Sequence, residues 1–515
     1  MNAYYLKKAK DNMPDCAGGT RYSDDIVELI ADERAHLGVG VKPLGKNRES
    51  FVTGDRFVLD FGEHCVGILS FQLTHVQSYL DAPVCLRLKF GEIPYEIDTD
   101  FKNHRGELIS SWLSEEIIYV DFPGKVTLPR RYAFRYLEVE ILKTRQPVKL
   151  TDFAVHKSTS ADERKMQPLP AGTDPLLVSI DSVAAKTLAE CMQEVYEDGP
   201  KRDHRLWIGD LRLQALTDSC LFQNHKLVKH CLYLFAACQK DGQYLPGCLY
   251  DKPELFYDEG MGITDYALLY AVTLCDYYTY SKDMETTLDL YPVAKKQVEL
   301  AASLHDEKGI ITFLDGWSSF IDWAEGLKTT TAVEGVYLYT LEKMAELAEA
   351  IGKKEDAGEY RAALQKTREC AYKNLFDPQK NTFCNVYDNN QYSVQAQVWM
   401  ILGGVVEGEE AWTILTQCLS NDDYIQPVTP YMHHYVVEAM IRIGRMEEAL
   451  DYIKNYWGGM VQAGADTFWE VYVPGNPTLT PYGNLLLHSW CHAWSCSPAY
   501  FIRTYFVTVQ NSPMH

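Results

Sequence analysis

The chain has 515 residues, and its 49 basic residues against 71 acidic ones give a net charge of −22. A surface this negative repels phosphate backbones and anionic lipid headgroups, which argues against general nucleic-acid and membrane-surface binding. Apolar residues make up 46% of the chain. The 34 tyrosines and 10 tryptophans beside so many carboxylates suit a carbohydrate site. The alternative is that the acidic residues only keep the protein in solution.

The N-terminal residues and the cysteines bear on the compartment. Residues 1–10 contain lysines but no apolar run behind them, so we predict no secretory signal. No stretch of about 18 uninterrupted apolar residues occurs, so no membrane span is predicted. The 14 cysteines are scattered without a CxxC pair. In a long chain without a signal they are expected to be free thiols, and a cytoplasmic location is expected.

The first third of the chain is predicted to contain strands. Residues 1–50 are assigned to an N-terminal extension. From 51 to 160, short runs of period two separated by turns, such as 57–62, 84–91 and 134–141, predict an antiparallel β-sandwich. The polar, proline-containing segment 161–175 then reads as a linker.

Residues 176–510 have the periodicity of helices. Apolar residues recur three or four apart, and glycine, proline and aspartate clusters separate the runs. About twelve helices are predicted, near 175–193, 209–222, 226–239, 262–281, 285–304, 331–351, 355–374, 391–403, 408–419, 431–443, 445–457 and 483–495. Twelve consecutive helices suit an (α/α)6 toroid, whereas the competing helical solenoid would require a fixed sequence repeat, which is not seen.

The densest polar cluster is the loop 197–210, EDGPKRDHRLWIGD. Its glycine and proline place it between two helices. Carboxylates crowded in a partly desolvated pocket have their pKa values pushed apart, which lets one of them stay protonated as an acid. A solvated, salt-bridged loop is the alternative interpretation.

This loop closely resembles the signature loop of glycoside hydrolase family 78, the bacterial α-L-rhamnosidases. The chain keeps the family's elements at Asp198, Pro200, Arg202, Trp207, Gly209 and Asp210. Other stretches agree in the same order. Residues 59–62 and 88–92 are similar to the strand domain that precedes the family's toroid, 467–470 resembles its Thr-x-Trp-Glu segment, and 487–500 resembles its Ser-x-x-His-x-Trp-Ser-x-x-Pro ending.

The resemblance implies inverting hydrolysis of a terminal α-L-rhamnoside in a pocket at one mouth of the toroid. By position, Asp203 falls where the family has its general acid, and Glu470 falls where the family has the general base that activates water. Asp198 and Asp210 fall on carboxylates that hold the sugar's hydroxyls, and His492 falls on a pocket histidine. Inversion requires an acid and a base on opposite faces of the ring, about 6.5–9.5 Å apart.

The general acid has an alternative. The family normally has Glu at the position of Asp203, whose carboxyl reaches about 1.5 Å less far. Glu259, which lies among glycines between two helices, is predicted to bind substrate, and it is the substitute acid if Asp203 only binds substrate.

Further residues are predicted to bind the sugar. Rhamnose lacks the 6-hydroxyl, so an apolar wall for its methyl group is expected from Trp207, Trp317, Trp323 and Trp469. Arg202 is also predicted to contact substrate. The family has an element similar to Asp322-Trp323, which supports both as substrate-binding residues, while packing in the toroid core is the alternative for Trp317.

No metal or organic cofactor is expected. His488 and His492 are four apart, which on a helix is the spacing of a zinc site, but no third ligand stands out. The chain has no P-loop, dinucleotide-binding loop or Gly-x-Ser-x-Gly elbow, so the motifs that usually indicate nucleotide binding or acyl transfer are not found in the sequence.

The predicted function is therefore a two-carboxylate, inverting glycoside hydrolase acting on terminal α-L-rhamnose in small glycosides or oligosaccharides. One alternative is an (α/α)6 hydrolase or lyase for another sugar such as a uronide, whose carboxylate Arg202 and Arg205 would hold. The other is a catalytically silent carbohydrate-binding protein. The predicted partner is a small carbohydrate, and a homodimer is the candidate assembly, because the chain ends soon after the last predicted helix and leaves a surface for it.

Overall fold

The computed structural model describes residues 1–23, 25–45, 49–76, 82–105, 108–240, 243–258, 262–313, 318–387 and 390–507. A strand domain is followed by a helical domain, and the predicted fold class is confirmed. None of the helices within these ranges has the length and apolar character needed to cross a membrane.

Nine strands in the described part of the chain form one antiparallel sheet. They are β1 (Thr20–Tyr22), β2 (Asp25–Ala31), β3 (Val39–Pro43), β4 (Arg56–His75), β5 (Val84–Gly91), β6 (Glu115–Val120), β7 (Gly124–Thr127), β8 (Tyr132–Lys143) and β9 (Val148–Lys157). The long strand β4 pairs with β8 and then with β9, and its register shifts between Asp60 and Cys65. This irregularity bends the sheet around an apolar core that includes Phe61, Phe71 and Phe134.

The segment predicted as an N-terminal extension contributes to both domains. Strands β1, β2 and β3 belong to the sheet, so the sheet begins at Thr20, not at residue 51. The helix α1 (Ala3–Asp11) packs on the helical domain, where the Asn2 amide donates to the Ala237 carbonyl. The segment 161–175, predicted as a linker, contains one 3₁₀ turn (Glu163–Lys165).

The helical domain alternates outer and inner helices. After the short α2 (Pro94–Asp98) of the strand domain come α3 (Pro175–Cys191), α4 (Ile208–Cys220), α5 (His225–Ala237), α6 (Thr264–Ser281), α7 (Met284–Ala302), α8 (Thr330–Ala350), α9 (Lys354–Leu375), α10 (Val394–Leu402), α11 (Gly408–Leu419), α12 (Pro430–Arg442), α13 (Met446–Gln462) and α14 (Pro498–Phe501). The even-numbered helices from α4 to α12 pack in sequence as an inner ring. The turn Ala493–Ser495 closes the ring against α12 and α4.

The prediction of a helix over 483–495 is wrong. This segment holds only two 3₁₀ turns, Leu485–Leu487 and Ala493–Ser495, and the next helix starts at Pro498, because proline is favoured at the first helical position. Its amides are committed to distant acceptors: Ser489 to Glu470, Trp490 to Glu92, His492 to Phe468 and Ala493 to Asp198. Hydrogen bonds to the fourth preceding carbonyl are therefore replaced by bonds that shape the site.

Candidate active site

A cavity of about 240 Å³ opens at the N-terminal ends of the inner helices α4 and α6. It is lined by Asp198, Arg202, Asp203, Trp207, Asp210, Ile263, Tyr266, Ser318, Ser319, Phe320, Trp323, Glu470, Tyr482, His492 and Trp494. Both predicted catalytic carboxyls are in this set, together with the predicted Asp198, Arg202, Trp207, Asp210, Trp323 and His492. The fold thus brings the loop 197–210 and the distant residue Glu470 to one pocket.

Arg202 bridges the two predicted catalytic carboxyls. Its Nη1 donates to Asp203 Oδ1 at 2.9 Å and its Nη2 to Glu470 Oε2 at 2.6 Å. The guanidinium lies 4.1 Å from the Tyr482 ring centroid, and its Nε donates to the Leu487 carbonyl at 2.9 Å. Because all three guanidinium nitrogens of Arg202 donate hydrogen bonds and its face lies on a ring, the group fixes the relative position of both carboxyls.

Glu470 is buried and anchored by three donors. Besides Arg202, the Tyr482 hydroxyl donates to Oε1 and the Ser489 amide donates to Oε2 at 3.3 Å. Burial raises the pKa of Glu470, the Asp203 charge adds to the rise, and Arg202, Tyr482 and the amide oppose it. The carboxylate is therefore a stronger base than an exposed glutamate, as proton abstraction from water requires.

Asp198 holds the loop in shape. Its Oδ2 accepts the Asp203 amide at 3.1 Å, and its Oδ1 accepts the Arg205 amide at 3.1 Å. Burial and the nearby Asp203 charge raise the pKa of Asp198 to about 8, although these amides lower it. Asp198 can therefore carry a proton near neutral pH while it faces the cavity.

Asp210 and His492 form a second polar pair on the cavity wall. The Asp210 carboxyl lies in the first turn of α4, with Oδ1 3.7 Å from His492 Nδ1, and neither atom has a hydrogen-bond partner. Burial, aided by the charges of Asp198 and Glu470, raises the pKa of Asp210 well above its usual range. Burial and the positive charge of Arg202 lower the pKa of His492 well below its usual range. Two buried polar atoms without partners inside a cavity are suited to bind the hydroxyls of a ligand.

The apolar wall differs in composition from the prediction. Trp207 and Trp323 line the cavity as predicted, and Trp323 is 40% exposed at its mouth. The deeper wall is formed by Tyr266, Phe320 and Trp494, with the Phe320 and Trp494 rings stacked at 5.8 Å. The residues just before Trp323 and the matched 487–500 ending contain Phe320 and Trp494, so a closer reading of both segments could have found them. Tyr266 and Tyr482 have no such signal in the sequence.

Two predicted substrate-binding residues do not line this cavity. Trp469 precedes Glu470, but its side chain lies outside the cavity, where it packs against His36 and Trp490. The buried Asp322 carboxylate accepts hydrogen bonds from the Val428 and Thr429 amides, the Thr429 hydroxyl and the Gln395 side chain, and it joins two loops. The predicted residues Glu259 and Trp317 lie outside the described residues.

The histidine spacing that suggested a zinc site does not produce one helix face, because 488–492 is not helical. The His488 ring is tilted against Trp490 with centroids 4.3 Å apart, while the His492 ring is tilted against Trp494 at 4.2 Å in the cavity. Within the described ranges, no group of three or more His, Cys, Asp or Glu side chains is arranged to hold a metal ion.

Comparisons with known proteins decide the family. The model of the glycosyl hydrolase family 78 α-rhamnosidase N-terminal domain matches residues 23–157, and that of the bacterial α-L-rhamnosidase six-hairpin glycosidase domain matches residues 171–506. The chain belongs to glycoside hydrolase family 78. A comparison with curated proteins gives no match.

Solved structures agree with this family 78 assignment. A rhamnosidase from Klebsiella oxytoca with rhamnose bound is 38% identical, with a TM-score of 0.93 over 98% of this chain and 99% of that one. A family 78 rhamnosidase of Bacillus sp. GL1 shares the fold at 22% identity and a TM-score of 0.75, over 90% of this chain and 49% of that one. The Streptomyces avermitilis α-L-rhamnosidase complexed with L-rhamnose shares it at 16% identity and 0.68, over 95% of this chain and 44% of that one.

The Tyr482 hydroxyl gives a testable effect on Glu470, the predicted general base. Replacing Tyr482 by Phe removes a hydrogen bond that lowers the pKa of Glu470, so the pKa rises further. Because a base works only when deprotonated, the acidic limb of the kcat/KM profile should move to higher pH, with kcat about tenfold lower. Tyr452→Phe, which removes a hydroxyl bonded to His433, is the control and should leave the limb in place. An unshifted limb in Tyr482→Phe would show that another group sets it.

Proposed function

We propose that this family 78 protein hydrolyses terminal α-L-rhamnosides with inversion of configuration, using Asp203 as the acid and Glu470 as the base. The observation that carries the proposal is the Arg202 bridge between the two carboxyls inside the cavity. Its two hydrogen bonds, of 2.9 and 2.6 Å, keep the joined oxygens within about 8 Å of each other. This upper limit admits both the roughly 6.5–9.5 Å of inverting glycosidases and the roughly 5–5.5 Å of retaining ones, so the anomer that forms first decides between them. The rhamnose bound to the 38% identical Klebsiella oxytoca protein supports the sugar.

In the proposed reaction, Asp203 gives its proton to the glycosidic oxygen as the bond from that oxygen to the anomeric carbon breaks. Glu470 removes a proton from a water that attacks the same carbon from the opposite face. Asp198, Asp210 and His492 bind ring hydroxyls, and Tyr266, Phe320 and Trp494 accept the 6-methyl group. The products are L-rhamnose in the inverted β form and the free alcohol, and both carboxyls return to their starting state by exchanging protons with solvent.

The location and the substrate size are part of the proposal. All 14 cysteines are free thiols, and the sulfurs of Cys191 and Cys491 are only 3.9 Å apart without being bonded. This usage is typical of a reducing compartment and supports the cytoplasm, where short imported rhamnosides are the substrates. The homodimer stays a prediction, which light scattering coupled to gel filtration will test.

The uronide alternative loses part of its support. A substrate carboxylate would require a free cation in the cavity, but Arg202 is already engaged by Asp203, Glu470 and the Leu487 carbonyl. Arg205 lies against the Tyr250 ring at 4.4 Å, with one nitrogen 3.6 Å from Asp203. The cavity wall beside these residues is aromatic, which suits a methyl group better than a second carboxylate.

A panel of substrates tests the function. We expect release of nitrophenol from 4-nitrophenyl α-L-rhamnoside and none from the other nitrophenyl sugars or an unsaturated uronide. Proton NMR of the first-formed sugar should show the β anomer, and a first-formed α anomer would refute inversion. Release from another sugar would replace rhamnose in the proposal, and silence with retained rhamnose binding would indicate a carbohydrate-binding protein.

A further inference from the structure

Glu92 belongs to the strand domain, directly after β5, yet its carboxylate contacts the helical domain. The side chain is fully buried. Its Oε1 lies 3.1 Å from His64 Nε2, and its Oε2 lies 2.9 Å from Lys201 Nζ and accepts the Trp490 amide at 2.8 Å. Although burial raises it, Lys201 and His64 bring the pKa of Glu92 down to about 2. The carboxylate is thus a permanent charge between two segments of the other domain.

The contact of Glu92 with Lys201 reaches the loop 197–210, which carries Asp203. Lys201 immediately precedes Arg202, and its ammonium also lies 2.6 Å from Glu96 Oε1 and donates to the His488 carbonyl. A buried lysine held by two carboxylates and a carbonyl has no freedom to move. Fixing Lys201 therefore fixes the place from which the Arg202 side chain reaches Asp203 and Glu470.

The second contact leads to the base. Trp490 follows Ser489, which exchanges two hydrogen bonds with Glu470: the Glu470 amide donates to the Ser489 carbonyl at 3.0 Å, and the Ser489 amide donates to Glu470 Oε2 at 3.3 Å. By accepting the Trp490 amide, Glu92 holds the segment that orients the Glu470 carboxylate. One carboxylate of the strand domain thus secures the loop that carries Asp203 and the segment that orients Glu470.

We propose that Glu92 is a positioning residue for the glycosidase reaction, setting the separation of Asp203 and Glu470 through Lys201 on one side and Trp490 on the other. This inference rests on the proposed function, because it assumes that those two carboxyls are the acid and the base. It makes the strand domain a working part of the active site. Glu92 also lies in the segment 88–92 that resembles the family's strand domain. The two-carboxylate reaction gives this domain no chemical role, and positioning by Glu92 would supply one.

Glu92→Gln tests the proposal, because glutamine keeps the shape but removes the charge that binds Lys201. A displacement near 1 Å at the reacting groups costs about 100-fold, so we expect kcat to fall by roughly 10- to 100-fold. The KM should change less than about threefold, because Glu92 does not line the cavity. Glu92→Asp, which keeps the charge but withdraws it by about 1.5 Å, should fall in between.

The pH profile gives a readout that a purely structural role would not move. The charged and titratable groups facing Glu470 are Arg202, Tyr482, Asp203 and Asp210. Of these, Arg202 lowers the pKa of Glu470 most. If Glu92→Gln lets Arg202 withdraw, the acidic limb of kcat/KM should move to higher pH.

Glu334→Gln is the matched control. Glu334 is a fully buried glutamate of α8 that lies 3.0 Å from His305 Nε2 and accepts the Ile311 amide at 2.8 Å, but it does not line the cavity. It should lose stability like Glu92→Gln and keep the wild-type kcat and pH profile. A Glu92→Gln protein with the kinetics of the Glu334→Gln protein would overturn the proposal.

A crystal structure of Glu92→Gln separates this proposal from the proposed function. If the wild type hydrolyses none of the sugars tested, the proposed function fails, but the Arg202 contact can still be measured. We expect the 2.6 Å contact between Arg202 Nη2 and Glu470 Oε2 to lengthen beyond hydrogen-bonding distance. An unchanged contact would refute the positioning role whatever the substrate is.

Discussion

Replacing Glu470 by Gln should lower kcat for 4-nitrophenyl α-L-rhamnoside by at least about 100-fold, the scale of general base catalysis. The amide cannot take a proton from the attacking water, while the side chain keeps its volume and remains next to Arg202 and Tyr482. The loss should fall mainly on kcat, because a base acts in the transition state. Initial rates across a range of substrate concentrations will measure it.

Glu438→Gln is the control for this variant. Glu438 is a partly buried glutamate that also accepts hydrogen bonds from an arginine and a tyrosine, Arg212 and Tyr339, but it does not line the cavity. Both substitutions leave an arginine with less negative charge around it, so both should lower the melting temperature. Only Glu470→Gln should lower kcat. Equal activity of the two variants would remove Glu470 from the chemistry.

Replacing Asp203 by Asn should also lower kcat by at least about 100-fold, and the loss should depend on the leaving group. Nitrophenolate leaves with little help from a proton, whereas an alcohol or a sugar requires protonation. We therefore expect a larger loss on a disaccharide that ends in rhamnose than on the nitrophenyl substrate. Parallel kinetics on both substrates make this comparison.

The alternative acids give distinct outcomes. Asp198 has a pKa of about 8 and faces the cavity, but its carboxyl accepts hydrogen bonds from two amides of the loop 197–210. Asp198→Asn should therefore disorder the loop and lower the activity on both substrates by the same factor. Near-normal turnover by Asp203→Asn would move the acid role elsewhere. Glu259, the substitute acid predicted from the sequence, would be replaced next.

The local elements of this protein follow from the sequence. Apolar residues three or four apart predicted the helices, and period-two runs predicted the strands, because both patterns depend on neighbours that are close along the chain. The loop 197–210 could be recognised for the same reason, since Asp198, Arg202 and Asp210 lie within one short segment. Thr467–Glu470 could be matched as a motif, but the sequence alone does not show which of its side chains faces the cavity.

Other features depend on partners far apart in the chain, and only the tertiary structure decides them. The segment 483–495 is not helical, because Glu470, Glu92, Phe468 and Asp198 bind its amides. The hydrogen bond from Arg202 to Glu470 spans 268 positions, and Glu92 reaches Trp490 across 398. Trp469 faces away from the cavity, while Tyr482 lies within it. A composition with 71 acidic residues predicted a protein that avoids other anions. Closure of the ring of helices decides which few of these carboxyls meet in one buried cavity. Their pKa values shift there because burial and nearby charges change the pKa of a carboxyl, whereas its position in the sequence does not.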